Sequence, residues 1–169
     1  MRRIRGLVPL LLSASLAGTS ACLYGFAGGG LPAGIRTVAV LPFENLTAEP
    51  TLTQEITQAV REAVQNRLGL RPAGEDQADA IVRGTVTRYE PDLPLSFTGA
   101  DNNRVEVTRR MVQITVSVEI INQREGKPLW TRQGLTVQGE YDTNREAEGR
   151  RRALDKLITD IVDGAQSQW

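Results

Sequence analysis

The sequence predicts an α+β fold in the order β-α-β-β-β-α: a mostly antiparallel four-stranded sheet with two helices packed on one face. Three observations carry this. Residues 112–120 alternate without exception, with Val112, Ile114, Val116, Val118 and Ile120 on one side and Gln113, Thr115, Ser117 and Glu119 on the other, the period-2 pattern of a half-buried strand. Two other stretches, Thr51 to Leu68 and Thr143 to Ala165, repeat apolar residues at helical spacing. Each helix offers a single apolar stripe, so together they cover one side of a sheet and leave the other open.

The elements follow in order. Ile35 to Phe43, IRTVAVLPF, is β-branched and apolar on both faces, as in a strand buried on two sides, and Pro42 marks its end. Glu44 to Glu49 reads as a turn. In the first helix Leu52, Ile56, Ala59, Val60, Ala63, Val64 and Leu68 share a face. Thr51 with Gln54 has the form of a capping box, and Gly69 stands where a helix C-cap is expected. Arg71 to Gln77 reads as a loop. Ala78 to Glu90 alternates, with Ala80, Val82, Gly84 and Val86 opposed to Arg83, Thr85 and Thr87. Pro91 and Pro94 then end that strand, and Asp92 to Asn103 reads as a polar loop. The third strand, Val105 to Asn122, has a strongly specified register, because a slip of one residue would turn its apolar set outward. Glu125-Gly126 makes a hairpin turn into Pro128 to Gly139. That strand places Leu129, Thr131, Gln133, Leu135 and Val137 on one face and Trp130, Arg132, Thr136 and Gln138 on the other. Thr143 and Glu146 cap the second helix, whose apolar face is Ala147, Leu154, Leu157, Ile158, Ile161, Val162 and Ala165. Arg150, Arg151 and Arg152 read as a solvated face. The strand-helix-strand start allows the first two strands to run parallel.

Composition narrows the function. The chain has 169 residues, 40% of them hydrophobic, with 20 basic and 20 acidic side chains. That balance sets up no field demanding nucleic acid. Histidine is absent and cysteine occurs once. Histidine metal ligands, histidine general bases, an internal disulfide and a thiolate zinc site are therefore excluded. Ser96, Ser117 and Ser167 have no base to activate them, and no metal-ligand spacing occurs. The expectation is a protein that is not an enzyme and uses no cofactor or metal.

The N-terminus carries the sharper signal. MRRIR is followed by the apolar run LVPLLLSASLAG, which fits a signal peptide over residues 1–21 and is too short for a membrane-spanning helix of ~20 residues. Thr19-Ser20-Ala21-Cys22 resembles a bacterial lipobox, with small residues at the two positions before the cysteine and Thr19 in place of the usual leucine. Cys22 is then the lipidation site, and the more than one acyl chain it would carry gives stable anchoring. The competing reading is ordinary cleavage after Ala21, which leaves Cys22 a free thiol. Residues 22–34 form a lipidated glycine-rich tether; its glycines are followed by no Gly-Lys-Ser/Thr, so it is not a phosphate loop. Residues 35–169 form a single α+β domain. Removing Arg2, Arg3 and Arg5 with the leader leaves 17 basic against 20 acidic residues.

The side of the sheet away from the helices shows Thr85, Thr87, Gln113, Thr115 and Ser117, neutral hydroxyls and amides. Either this is an open antiparallel face towards water, or it docks against another polar wall.

The chain resembles the lipopolysaccharide-assembly lipoprotein family LptE. The residues that carry the resemblance are the lipobox cysteine, Tyr24-Gly25-Phe26, Gly28-Gly29-Gly30-Leu31-Pro32, Ile35-Arg36-Thr37-Val38-Ala39-Val40, Phe43-Glu44-Asn45-Leu46-Thr47 and a helix opening near Thr51. Arg83-Gly84-Thr85-Val86 with Tyr89 adds to it. The resemblance implies an outer-membrane lipoprotein on the periplasmic face, held by its lipid anchor. It implies a partner, an LptD-like β-barrel translocon whose lumen the domain plugs, and a ligand, lipopolysaccharide. A phosphorylated glycolipid favours arginine forks. Arg104, Arg109 and Arg110 are the first candidates for it, with Arg88, Lys127 and Arg132 second. Arg109 and Arg110 are adjacent, so in a regular strand they point to opposite faces and act together only across a bulge or a frayed end. The opening strand also resembles those of curli-secretion-like and peptidoglycan-synthase-activator-like lipoproteins. The alternative is therefore a periplasmic lipoprotein acting as a protein-binding regulator or secretion component.

Overall fold

A computed structural model of the chain describes residues 31–32, 34–100 and 104–167; the side chains of residues 96–100 and 104–108 lie outside that description. The leader, Cys22 and most of the tether also lie outside it. The elements are β1 (Thr37–Val40), β2 (Glu44–Asn45), α1 (Thr51–Asn66), β3 (Arg71–Pro72), a 3₁₀ turn (Glu75–Gln77), β4 (Ala80–Ala100), β5 (Arg104–Asn122), β6 (Lys127–Asp142) and α2 (Glu146–Ser167).

Among the described residues the fold is α+β with two helices, but the sheet has six strands and is mixed rather than four-stranded and mostly antiparallel. Its order is β3-β1-β4-β5-β6, and β2 also pairs with β4. β1 runs parallel to both β3 and β4, β2 runs parallel to β4, and the β4-β5 and β5-β6 pairs are antiparallel. The two added strands are two residues each and fall in the segments read as a turn and a loop. Such strands are too short to carry a period and exist through their neighbours: Arg71 N–H donates to Arg36 O and Leu46 N–H to Val86 O, at 3.0 and 2.9 Å.

The expected loop from Asp92 to Asn103 is largely strand. β4 runs on to Ala100 and pairs with β5 down to Arg104, with register shifts next to Thr87, between Glu90 and Leu93, and around Ser96. Beyond Val86 no strand among the described residues flanks β4 on its other side. Pro91 and Pro94 thus sit on an edge at bulged positions, where a missing N–H breaks no ladder. The bulge at Thr87 also resets the alternation, so Tyr89 joins Val86 on the helix side and pairs opposite buried Ile114.

β6 departs from its predicted faces for a related reason. Gly134 has φ +63° and lies at a register shift between Val116 and Val118; only glycine adopts that left-handed bulge conformation without cost. The strand before it is inverted relative to the strand after it. Trp130 therefore turns to the helix side, opposite Ile120, and is buried, whereas Thr131 and Gln133 are exposed.

Both helices bury their stripes in one cluster with the inward residues of β4, β5 and β6. Leu52, Ile56, Val60 and Val64 of α1 and Ala153, Leu157, Ile161 and Ala165 of α2 meet Val82, Val86, Val112, Ile114, Val116 and Ile120 there. Each fully buried aliphatic side chain contributes about 1.5–3 kcal/mol. α2 approaches β6 closely because both carry glycine at the contact: a Cβ on Gly139 would lie 1.8 Å from Gly149 O, and one on Gly164 2.5 Å from the Trp130 ring. Ala147 is exposed rather than part of the apolar face.

The caps of α1 differ from those expected. α1 has Pro50 at its N-cap with no side-chain cap bond, and Thr51 Oγ1 donates instead to Glu49 Oε1 at 2.6 Å. That bond lowers the Glu49 pKa. Gly69 (φ +67°) lies two residues beyond the Arg67 cap, and Leu70 N–H returns to Val64 O at 3.1 Å. α2 begins at Glu146, after Asn144 at φ +71°. Glu146 Oε1 accepts from Tyr89 Oη at 2.9 Å, and burial, then this carboxylate, push the Tyr89 pKa up.

Two polar side chains fasten the sheet. Buried Thr57 Oγ1 accepts the Phe43 N–H at 3.0 Å and donates to Thr53 O at 2.6 Å, tying the chain after β1 to α1. Buried Asp79 accepts from the N–H groups of Arg36 and Thr37, from Thr37 Oγ1 and from the Arg124 guanidinium. Its own N–H donates back to Thr37 Oγ1 at 2.9 Å. The Arg36 N–H first, then the Thr37 hydroxyl, hold the Asp79 pKa down at about 2.

Candidate functional site on the uncovered sheet face

On the side of the sheet away from the helices, β5 contributes Gln113, Thr115, Ser117 and Glu119, each half-buried by its neighbours. Thr85 and Thr87 of β4 lie on the same side, so the five predicted partner-facing residues are brought together. A hydrogen-bonded lattice holds them. Gln138 Nε2 donates to Gln113 Oε1 at 2.8 Å, and Gln113 Nε2 to Glu90 Oε2 at 3.2 Å, a relay across three strands. The Thr115 and Thr136 hydroxyls are 3.0 Å apart. Thr87 Oγ1 donates to Thr115 O at 3.2 Å, and Thr85 Oγ1 to Glu44 Oε2 at 3.3 Å. Ser117 Oγ accepts the N–H of Gly134 at 3.3 Å. The bulge that inverts β6 thus also supplies a donor to this face.

Charges flank the neutral centre. Arg83 places two nitrogens 2.8 and 2.9 Å from Glu119 Oε2 at one end. Towards the other end stand Arg88–Glu90 at 3.6 Å and Arg109–Glu140 at 3.3 Å. Exposed pairs of this kind contribute roughly 0–1 kcal/mol each, so they shape the rim more than they stabilise the fold. The arrangement offers oriented hydroxyls and amides with their charges already paired. It suits a polar wall of low charge and places no nucleophile beside a base. Among the described residues no group of three histidine, cysteine, aspartate or glutamate side chains is placed to hold a metal, and no helix is long and apolar enough to cross a membrane.

The five basic candidates whose side chains are described, Arg88, Arg109, Arg110, Lys127 and Arg132, are not gathered. Arg109 and Arg110 point to opposite sides, and each meets a carboxylate: Arg109 that of Glu140, Arg110 that of Asp92. Asp92 also lies 3.1 Å from the Tyr141 hydroxyl, which donates to Pro91 O at 2.7 Å. The bond from Arg110 keeps the Asp92 pKa low, while burial, then Asp92, raise that of Tyr141. Arg88 pairs opposite Thr115, six residues along β5 from Arg109, or roughly 20 Å. Lys127 is exposed at the start of β6, opposite Asn122. Arg132 is exposed beside Trp130, Asp160 and Asp163, on the helix side. The Arg104 side chain and the Asp101–Asn103 segment lie outside the described residues. Glu44, Glu90, Thr136 and Gln138 belong to the face although the sequence did not single them out as site residues. The outward alternation of β6 beyond Gly134 was the available signal for the last two.

Comparison with known proteins decides the family. A family model described as "LptE: Lipopolysaccharide-assembly" matches residues 35–164. The chain belongs to the LptE family. The match covers the whole span from β1 to the last turns of α2, the two helices and the uncovered face included. The LptE family is one of non-enzymatic assembly lipoproteins, and the chain is an LptE-like lipoprotein of the cell envelope. No curated protein matches the sequence. Among solved structures, protein XCC0632 from Xanthomonas campestris is similar at a TM-score of 0.52 and 11% identity, over 82% of this chain and 90% of that one. The hypothetical protein CT253 from Chlamydia trachomatis is similar at 0.50 and 10%, over 78% and 98%. A minor lipoprotein from Acinetobacter baumannii gives 0.47 and 15%, over 79% and 94%. At these identities the first two show a shared fold.

Proposed function

We propose that this LptE-family chain is anchored to the outer membrane through lipidated Cys22 and sits within an LptD-like β-barrel translocon as plug and assembly partner. Its uncovered face lies against the lumen wall. The observation that carries the reading is the neutral hydroxyl and amide centre of that face, fixed by the Glu90–Gln113–Gln138 relay and left bare by both helices. Preorganised side chains lose little freedom when a partner arrives. Lipopolysaccharide contact falls to Arg104, Arg109 and Arg110, with Arg88, Lys127 and Arg132 behind them. At Arg109 and Arg110 a phosphate would have to displace Glu140 and Asp92, an exchange of one charge-assisted pair for another.

The test is capture of the barrel from detergent-solubilised outer membranes by the tagged full chain. Wild type retains the barrel; Thr115→Asp, which sets a charge at the neutral centre, retains less. Cys22→Ala moves the protein out of the membrane fraction. In a lipopolysaccharide titration, replacing Arg104, Arg109 and Arg110 together by Glu weakens binding at least tenfold, about 1.4 kcal/mol. Equal barrel recovery by wild type and Thr115→Asp argues against the docking face. Unchanged affinity in the folded triple variant moves the ligand to Arg88, Lys127 and Arg132, or removes it.

A further inference from the structure

The outermost strands of the sheet, β3 and β6, are guarded differently. At one edge β3 is two residues long and contains Pro72, too short to template another strand. At the other, β6 runs from Lys127 to Asp142. The Gly134 bulge breaks its flat run, leaving Leu135 to Asp142 as a regular edge. Such an edge recruits strands unless charged side chains or bulges block it.

Here two side chains of α2 reach over the edge. Lys156 Nζ donates to Gln138 O and Arg152 Nη1 to Glu140 O, both at 2.7 Å. Those carbonyls therefore point away from β5. In a strand a residue's N–H and C=O point to the same side, and successive residues alternate. Thr136, Gln138 and Glu140 thus present their backbone groups outward, while Val137 and Gly139 bond to β5. The outward set is self-complementary. An antiparallel copy centred on Gln138 sets Gln138 opposite Gln138 and Thr136 opposite Glu140, each exchanging backbone bonds. No like charges face each other in that register, and like-charge opposition is what ordinarily disfavours such a pair.

We infer that the outer edge of β6 is a strand-pairing site for a second copy of this chain, centred on Gln138 and held closed by Lys156 and Arg152. The inference is independent of the proposed barrel partner, which meets a face of the sheet rather than its edge.

Sedimentation of the full chain in detergent tests it. Wild type remains monomeric. Arg152→Ala with Lys156→Ala forms a dimer whose association constant is at least tenfold larger. Adding Gln138→Pro to that double variant restores the monomer, because it deletes an outward N–H and leaves the β5 ladder intact. Circular dichroism confirms folding; if the double variant does not fold, Lys156→Ala alone, on the exposed side of α2, is read in the same assay. No increase in association in the folded variants overturns the inference. So does a dimer that survives Gln138→Pro, or a wild type that dimerises as tightly as the variant.

Discussion

Thr115 and Val116 are neighbours in β5, yet they live in different media. Val116 is 0% exposed beneath the helices. Thr115 is half-buried among hydroxyls and amides, with its Oγ1 3.0 Å from that of Thr136. On the helix side, volume is the constraint: aliphatic side chains interlock, and a charge placed there loses its water with no partner to replace it. On the bare side, geometry is the constraint: the hydrogen bonds are local, and solvent substitutes readily for any one of them. One strand therefore separates two jobs, holding the fold with its even residues and presenting a surface with its odd ones.

The largest effect that would break this comparison is Val116→Asp. It is expected to cost about 4–5 kcal/mol or to prevent folding altogether, whereas Thr115→Asp costs about 1 kcal/mol or less. Urea unfolding of both variants checks it; equal losses would mean the two faces are not distinct. The next effect is steric. Gly139→Ala drives a methyl to within 1.8 Å of Gly149 O, so α2 must shift, at about 1–3 kcal/mol. Gly74→Ala meets nothing within 4 Å and has φ −67°, so its Tm stays near that of wild type. A further effect depends on pH. Asp79 has its pKa lowered to about 2 from 3.8, so its contribution is fully present above pH 4 and is lost as pH falls towards 2. The Tm of wild type should exceed that of Asp79→Asn at neutral pH, and the gap should close below pH 4. A gap that is constant with pH would detach Asp79 from the acid transition.

What the sequence made legible follows the same division. The inward residues of β5 and the stripe of α1 were readable, because one uninterrupted period spans each element. The bare face was readable at its β5 positions for the same reason. Bulges hid the rest. At Thr87 one extra residue carries Tyr89 to the helix side, and at Gly134 another turns Trp130 inward; periodicity read across either point gives the wrong side. Pro91 and Pro94 look like strand breakers until β4 is seen to be an edge beyond Val86. The carboxylates facing Arg109 and Arg110 were invisible for a different reason. Glu140 and Asp92 come from two other strands, and only the register through the bulges brings them near. The capping box read at Thr51 failed because Pro50 takes the N-cap position and the Thr51 hydroxyl finds an acceptor in Glu49.

The Asp79 cluster has a mechanical side. Whatever pulls on the segment before Ile35 transmits its force to the sheet at Arg36 and Thr37, whose N–H groups end on one carboxylate. That carboxylate sits just before β4, which lies between β1 and β5, and through Arg124 it also reaches the turn joining β5 to β6. The load is shared among three parts of the sheet before any β1 bond is strained on its own. β1 is only four residues long, and this carboxylate adds to its two ladders an anchor at the end where tension on the chain would begin to peel it.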